Sequence, residues 1–433
     1  MRRLFLLFFF LSAGFAGFAG FAGLQADDFD FFAFFRDRAD ALQSEAVRLR
    51  RELHQIPELC FQEKRAAAFA ERYLRGLGLE VQAGLAGTGI KAVLRGGRPG
   101  GRPGRIVALR ADMDALPIQE TTGEPWASKN PGTMHACGHD VHMTNLLIAA
   151  RILVEARPHL SGTVIFIFQP CEEGAPEGRP GGADTLIAQG VLENPPVEAM
   201  IGLHLLPALP LGKACVQAGP VMANVASVFI KIFGKASHGA LPHQGIDAIY
   251  AAALAVVEFQ ALISRSRDPN EKAVLSVGTI HGGSRLNVVA AETALEGTVR
   301  TFSFALEDQI GQGMERILKG LEIALGISYR FDFIKVNRFV KNDAQLVEQL
   351  LPEFRRALGR ENVVTIDPLT IGEDFAAYSH RLPALFFFLG TGSDTALHTP
   401  DFSVDERILT LGPRLLASAA AAYLCRSTGS CSD

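Results

Sequence analysis

The sequence predicts an α/β protein with a mixed sheet, buried on both faces, and a second, inserted α+β segment. Short uninterrupted apolar runs alternate with helical patterns, as is typical of strands that helices cover on both sides. The chain of 433 residues is longer than one hydrophobic core usually supports, which favours two domains. Between residues 222 and 334 the order of predicted elements changes, and this change marks the second domain.

The first 26 residues are predicted to be a secretory signal peptide. Arg2 and Arg3 precede an uncharged run from 4 to 26, in which apolar and small residues lead up to Asp27. We therefore expect export, with cleavage after Ala26. The run is also long enough to span a bilayer, so an uncleaved N-terminal anchor is an alternative, as are a twin-arginine export signal and a low-complexity start. Beyond such an anchor, no membrane association is expected.

Residues 40–221 are predicted to form the first part of the larger domain. The pattern is helical from Asp40 to about Gly76, with a break at Pro57, and a further helix is predicted at 144–156. Four apolar runs are predicted as strands, each leading into ionisable residues: 106–110 into Asp112 and Asp114, 164–168 into Glu172 and Glu173, 199–203 into His204, and 384–389 into His398. Open α/β sheets bind ligands beyond the carboxyl ends of their strands, so these side chains are expected to meet there.

Residues 222–334 are predicted to form the inserted domain, after which the larger domain resumes over 335–425. The predicted elements are a strand at 225–233, a helix at 246–264, strands at 273–280 and 293–302, a helix at 306–325 and a strand at 328–333. This β-α-β-β-α-β order is typical of a ferredoxin-like sandwich.

The segment 134–142 contains three histidines, a cysteine and an aspartate. Burying such groups without partners costs on the order of several kcal/mol each, whereas divalent metals bind imidazole, thiolate and carboxylate. Cys137 and His139 flank Gly138, so both side chains can converge in a tight loop, and a thiolate can bridge two ions. The segment therefore predicts a metal site, with His135, Asp140 and His142 as supporting neighbours.

Glu172 and Glu173 follow a buried strand, so one carboxylate could bind metal while the other takes a proton from water. A single histidine such as His204 or His398 is more often a satisfied core or surface residue than a ligand. Their positions at strand ends favour the ligand interpretation here. The net charge of −4 shows no basic excess, so nucleic acid is not an expected partner.

Six cysteines are too few for a disulfide scaffold. Cys425 and Cys431 lie in a polar tail and could either form a disulfide or remain free thiols.

Five motifs in order, at 134–142, 169–174, 202–207, 372–375 and 397–402, together resemble the M20 metallopeptidases. The similarity runs from about residue 45 to 424. Within the family, the segment at 50–59 is most similar to amidohydrolases that cleave N-acyl and indole-acetyl amino acids, hippurate and N-acetyl-diaminopimelate.

The resemblance implies two divalent metal ions per subunit, which could be zinc, manganese, cobalt or nickel. It implies five metal ligands, with Cys137 bridging the ions: Cys137, His139, Glu173, His204 and His398. Glu172 would be the general base that activates water and protonates the leaving amine, and Asp114 would orient a ligand histidine. Asp112 stands where aminopeptidase-like relatives have a metal-binding histidine, which fits the amidohydrolase branch and leaves Asp112 without a role.

The resemblance also gives the inserted domain a role as a lid and dimerisation domain. His238 lies in a segment similar to one whose histidine reaches into the partner subunit's site, where it would stabilise the oxyanion. A homodimer or higher homo-oligomer is therefore expected. Arg285 and Asn287 would bind the carboxylate and carbonyl of the substrate, and closure of the lid would cover the site.

The expected function is hydrolysis of N-acyl amino acids (acetyl, benzoyl or indole-acetyl type) to a carboxylic acid and a free amino acid. A dipeptidase or aminopeptidase is an alternative, but it needs an acidic subsite for the free amine, which the sequence does not identify. A catalytically inactive surface binding protein is another alternative. The presence of Glu172 and all five expected ligands argues against it.

Overall fold

An eight-stranded and a four-stranded sheet contain most of the strands in this computed structural model, which describes residues 29–98, 104–176 and 178–425. The helices are α1 Phe31–Ala41, α2 Gln43–His54, α3 Lys64–Gly76, α4 His139–Glu155, α5 Gly182–Ala188, α6 Ala248–Arg265, α7 Phe304–Leu325, α8 Ala344–Leu358, α9 Ala376–Ser379 and α10 Ile408–Cys425. The strands are β1 Glu80–Leu85, β2 Gly89–Arg95, β3 Ile106–Asp112, β4 Thr163–Gln169, β5 Ala199–Leu206, β6 Ala214–Cys215, β7 Gly219–Met222, β8 Asn224–Phe233, β9 Ser237–His238, β10 Ala273–Gly282, β11 Val288–Val289, β12 Glu292–Thr301, β13 Ser328–Asn337, β14 Val340–Asn342, β15 Val363–Val364 and β16 Ala384–Gly390.

The larger sheet has the strand order β1-β2-β4-β3-β5-β16-β6-β15. Its centre is parallel, because β4, β3, β5 and β16 all run the same way. The pairs β1–β2, β2–β4 and β16–β6 are antiparallel, and β6 and β15 are parallel. The mixed sheet is therefore confirmed, and its four central strands are the four predicted apolar runs. Both faces are covered: α4 and α10 lie over one core, and α5 and α9 lie over the other. The carboxyl ends of the four strands consequently meet along one edge.

Two helices begin earlier than the sequence predicts. The helical region expected from Asp40 starts at Phe31, where the Asp30 carboxylate accepts hydrogen bonds from the backbone N–H groups of Phe32 and Ala33. The phenylalanine-rich start of α1 packs against α4 and α10. The helix expected from 144 begins at His139. The predicted signal peptide, residues 1–26, lies outside the described residues.

The four-stranded sheet has the antiparallel order β10-β12-β8-β13. Helices α6 and α7 pack on one face and enclose a separate core that includes Ile230, Phe259 and Met314. From β8 to β13 the main elements follow the order β-α-β-β-α-β, with β9 and β11 forming a small additional ribbon. The last strand extends to Asn337, three residues past the predicted domain limit.

Among the described residues, α6 and α10 are each long and apolar enough to cross a membrane by length and composition alone. Helix α10 is mostly buried against α4 and α8, and α6 covers the four-stranded sheet. Core helices of folded domains share these properties. Neither helix therefore indicates a membrane span.

A disulfide joins Cys60, between α2 and α3, to Cys171, just after β4. The sequence does not predict this pair, because the two residues are 111 positions apart and only the fold brings them together. The alternative pairing of Cys425 with Cys431 lies outside the described residues, since Cys431 is not among them.

Candidate metal centre

The start of α4 and the ends of the central strands form one cluster of ionisable groups. Cys137 and His139 flank Gly138, which has φ +83° and lies directly before α4. A Cβ on Gly138 would lie 2.6 Å from Cδ1 of Leu205, at the end of β5. Only glycine combines this backbone conformation with so close an approach to the neighbouring strand. The loop can therefore turn both donors toward the sheet edge.

The five predicted ligands lie together at this edge. The Cys137 Sγ atom is 3.4 Å from Nε2 of His204 and 3.2 Å from Nε2 of His398. Oε1 of Glu173 is 3.3 Å from Nε2 of His398 and 3.8 Å from Nε2 of His139. These donors belong to two groups, Cys137 with His139 and His204, and Cys137 with Glu173 and His398, which share the thiol.

Two ligand atoms point toward the centre of the cluster and lack hydrogen-bond partners there. Nδ1 of His139 donates to the backbone carbonyl of Asp114 at 2.7 Å, which directs Nε2 into the cluster. Nδ1 of His204 likewise donates to the Leu205 carbonyl at 2.7 Å. Nε2 of His139 and Oε1 of Glu173 are buried and have no hydrogen-bond partner. A convergent set of imidazole, thiol and carboxylate donors with fixed outer contacts fits a divalent transition metal.

Burial and neighbouring charges shift the pKa values of these ligand side chains. Burial and the charges of Glu173 and Glu172 raise the pKa of the Cys137 thiol well above its usual range. Burial lowers the pKa of His204 to about 3. Although burial opposes it, the carboxylates of Asp112 and Asp114 raise the pKa of His139 to about 10. A divalent ion would have to displace the protons of the thiol and of this imidazole, so metal affinity is expected to rise with pH.

Glu172 lies beside the ligands within a group of three carboxylates, the others being Glu373 and Asp374. Burial and the charge of Glu373 raise the pKa of Glu172 well above its usual range. A carboxylate with a raised pKa can both accept a proton from water and return it to a leaving group. This environment suits the predicted role of general base.

The positive charge of Arg110, on β3, offsets the negative charge of Glu373 and Asp374 in this carboxylate group. Its side chain is fully buried and lies 2.7 Å from Asp112, 2.9 Å from Glu373 and 2.9 Å from Asp374. The sequence contains a signal for this role, since Arg110 is the one charged residue of the apolar run at 106–110, but the partners at 373 and 374 become visible only in the fold.

Asp112, which has no role in the sequence-based prediction, forms a buried pair with His142. Nε2 of His142 accepts the backbone N–H of Leu205 at 3.1 Å, so its Nδ1 donates to Oδ1 of Asp112 at 2.6 Å. The His142 ring also packs against His204, with centroids 4.7 Å apart. The pair thus connects β3, α4 and β5 behind one ligand.

Asp114 contacts two predicted ligands. Its Oδ2 accepts the backbone N–H of Glu173 at 3.0 Å, and its Oδ1 is 3.3 Å from Nδ1 of His139. The hydrogen bond from His139 is accepted by the backbone carbonyl of Asp114 and not by its Oδ1, so the orienting role of this carboxylate stays a prediction.

The predicted residues of the inserted domain lie elsewhere. His238, Arg285 and Asn287 are exposed, and β9, with His238, pairs with β11, directly after Asn287. Within the described ranges, no hydrogen bond or ion pair connects these three residues to the ligand cluster. Within one chain, these contacts therefore do not tie them to the metal centre.

Arg300 on β12 is a cation that the sequence does not identify as functional. It is partly buried, and its guanidinium lies 3.7 Å from the position of a Cβ on Gly372, the residue before Glu373. Burial lowers its pKa, and no ion pair with a described carboxylate accompanies it. It lies where β12 approaches the loop that carries Gly372 and Glu373.

Convergent nitrogen, sulfur and carboxylate donors beside a further carboxylate are typical of a metal-dependent hydrolase. Residues 108–422 match the family model described as Peptidase family M20/M25/M40, and the chain belongs to this family. The predicted M20 resemblance is thus confirmed, and the protein is a metal-dependent hydrolase that acts on amide bonds.

Three similar proteins illustrate the relationship. An N-acyl-L-amino acid amidohydrolase of Geobacillus stearothermophilus is 44% identical over 68% of this chain and 77% of its own length. An N-acetyl-L-cysteine deacetylase of Bacillus subtilis is 37% identical over 88% of both chains. The solved structure of the Bacillus subtilis YXEP protein is described as a dinuclear metal binding peptidase from the M20 family. It matches this chain with a TM-score of 0.76 and 34% sequence identity. The match covers 89% of this chain and 99% of that protein.

Proposed function

We propose that this enzyme hydrolyses the amide bond of N-acyl amino acids and releases a carboxylic acid and a free amino acid. The observation that carries the proposal is the carboxylate of Glu172, which lies outside the two donor groups that share Cys137. The names of the Geobacillus and Bacillus relatives support this substrate class.

Assays with hippurate and with an unblocked dipeptide test the substrate class. We expect turnover of the blocked amino acid and little of the dipeptide, because the described site has no carboxylate set apart to bind a free α-amine. Preferential turnover of the dipeptide would contradict the proposal.

We propose two divalent ions per subunit, because the donor atoms fall into two groups with one shared thiol. The set of sulfur, nitrogen and oxygen donors is compatible with zinc, manganese, cobalt or nickel. When bound, such ions polarise a carbonyl and lower the pKa of water. Cys137, His139, Glu173, His204 and His398 would hold them.

Side chains of the protein itself would then transfer the proton of the attacking water. Glu172 would take it from the attacking water and pass it to the leaving nitrogen. Asp114 would keep His139 and the backbone of Glu173 in place, and the Asp112–His142 pair would hold β5 behind His204.

Arg300 is proposed to bind the carboxylate of the substrate, whereas Arg285 and Asn287, which lie beyond the opposite end of β12, would do so from the partner subunit. The Arg300→Ala variant should raise KM for an N-acetyl amino acid by about 10–100-fold, since a hydrogen bond to a charged group contributes ~1.5–3 kcal/mol. The matched carboxamide substrate should show little change. Arg330→Ala serves as the control, because Arg330 lies on β13 of the same four-stranded sheet but forms an ion pair with Asp332. Equal losses with both substrates would argue against the assignment.

We propose that residues 222–334 form a ferredoxin-like lid and dimerisation domain inserted between catalytic segments 40–221 and 335–425. Helix α6 supports association, because Ile249, Tyr250 and Val257 remain 44%, 55% and 64% exposed on an apolar helix. The exposure of His238 fits a residue that acts in the site of the partner subunit.

Mixing two inactive variants tests this shared site. Glu172→Gln and His238→Ala chains, co-refolded in equal amounts, should regain roughly a quarter of the wild-type activity, because half the dimers are mixed and each has one intact site. Each variant refolded alone is the control. Recovery no greater than the sum of the two controls would show that His238 acts within its own chain or not at all.

We propose export of the enzyme through the signal peptide at residues 1–26, either cleaved after Ala26 or retained as an anchor. The positively charged start and the apolar run of the sequence support this proposal.

A further inference from the structure

The Cys60–Cys171 disulfide ends directly beside the proposed base. Its Cα atoms are 4.1 Å apart, and Cys171 immediately precedes Glu172 and Glu173. Cys60 belongs to the segment between α2 and α3. The crosslink thus ties the loop after β4 to a distant part of the chain.

The loop after β4 needs such support. Regular pairing of β4 ends at Gln169, and Cys171 has φ +52°, a conformation that is disfavoured for residues other than glycine. The carboxylates of Glu373 and Asp374 lie close to that of Glu172 and offer it no positive charge to pair with. The position of Glu172 must therefore be imposed through its backbone.

The buried carboxylate of Glu63 holds both sides of the disulfide. Its Oε1 accepts the backbone N–H of Phe61 at 2.8 Å and that of Cys171 at 2.9 Å, and its Oε2 accepts the Thr88 hydroxyl at 2.6 Å. Since Phe61 follows Cys60, one carboxylate fixes the backbone next to each sulfur.

The same segment also contacts the end of β3. Leu59 forms a β-bridge with Ala115, whose backbone N–H donates to the Glu58 carbonyl at 2.8 Å. Ala115 follows Asp114, and Asp114 in turn accepts the backbone N–H of Glu173. Residues 58–63 therefore link the two loops that carry Asp114, Glu172 and Glu173.

We propose that the Cys60–Cys171 disulfide, together with Glu63, positions Glu172 and Glu173 at the metal centre, so that turnover depends on the oxidised disulfide. The inference rests on the proposed function insofar as it takes Glu172 as the base. A dithiol reductant attacks the partly exposed Cys60 sulfur and releases the Cys171 thiolate. The dithiol then closes to its cyclic disulfide, and each cysteine has gained one electron and one proton.

The test compares oxidised wild type, wild type reduced with dithiothreitol, and the Cys60→Ala/Cys171→Ala variant, all at one buffered metal concentration. Reduction and the double variant should each lower kcat by about 10–100-fold, since a misplacement of ~1 Å can cost 100-fold. KM should change little, and reoxidation of the reduced wild type should restore kcat. The double variant should not respond to the reductant, which separates the disulfide from any effect of the dithiol on the metal.

Hydrogen exchange of residues 170–176 provides a readout independent of catalysis. It should become faster on reduction, while exchange in α6 stays the same. The Glu63→Ala variant in the oxidised protein should also lower kcat, and Glu63→Gln should retain more activity because it keeps an acceptor oxygen. These two variants keep the test decisive if the double cysteine variant fails to fold.

Two outcomes would overturn the inference. One is a reduced enzyme with wild-type kcat and only a lower melting temperature, which would make the disulfide purely stabilising. The other is unchanged exchange of 170–176 on reduction. If oxidised wild type turns over no N-acyl amino acid, the proposed function fails, but the exchange measurement still decides whether the disulfide positions this loop.

Discussion

Replacement of Glu172 by glutamine should abolish most turnover and leave the metal bound. The amide is isosteric with the carboxylate but cannot accept the proton of the attacking water, and general acid–base catalysis typically contributes about 100–10,000-fold. We expect kcat to fall by that factor, with metal content unchanged when the purified protein is analysed by elemental mass spectrometry. Glu348→Gln, at an exposed position on α8, is the matched control and should behave like wild type.

The same experiment distinguishes a base from a ligand. Glu172 lies within reach of His139 and Glu173, so a ligand role is a physical alternative. Loss of metal together with activity would support that alternative. Full activity with metal retained would exclude Glu172 from catalysis altogether.

The Arg110→Met variant should show the largest loss of stability. Methionine approximates the length of the arginine stem but leaves the buried carboxylates of Asp112, Glu373 and Asp374 without their cation. Removing one partner of a buried ion pair costs about 3–5 kcal/mol, and here three carboxylates lose the same partner. Urea denaturation should report at least this decrease in the free energy of unfolding. Arg95→Met is the control, since Arg95 pairs with Glu80 at an exposed strand end, where a pair contributes only about 0–1 kcal/mol.

The loss should also depend on pH with a defined sign. Burial raises the pKa of Glu373 to about 8 and that of Asp374 to about 6, although Arg110 opposes both shifts. Between about pH 4 and 8 these two carboxyl groups therefore bind more protons in the folded protein than in the unfolded chain, so their contribution to stability falls as pH rises through this window. Arg110→Met removes the opposing charge and should make this decline steeper. A decline equal to that of wild type would show that Arg110 does not compensate these carboxylates.

The sequence predicts the central part of the fold because local pattern and sheet geometry agree there. Four apolar runs become β3, β4, β5 and β16, and the carboxyl ends of parallel strands must lie on the same side. Residues that follow these strands, such as Glu173 and His398, are consequently neighbours although 225 positions separate them. The uninterrupted apolar runs and the common direction of the parallel strands are sufficient for this prediction.

Other features depend on contacts that no local pattern encodes. The Asp112–His142 pair requires the start of α4 to lie against β3, and the disulfide requires a particular approach of residue 60 to residue 171. The charge of Arg110 is visible in its strand, but its partners at 373 and 374 come from a distant loop. Arg300 becomes a candidate only in the fold, where β12 approaches the loop around Gly372.

The packing of α1 against α10 has a consequence for biosynthesis. The first and last helices of the described chain share one core with α4, and β5 pairs with β16 across the whole inserted segment. The four-stranded sheet is continuous in sequence and can fold as soon as it leaves the ribosome, because its core is its own. The larger sheet cannot be completed before β16 is made, nor its core before α10. During synthesis the full set of five ligands therefore cannot form until His398 has been made, long after Cys137, His139, Glu173 and His204.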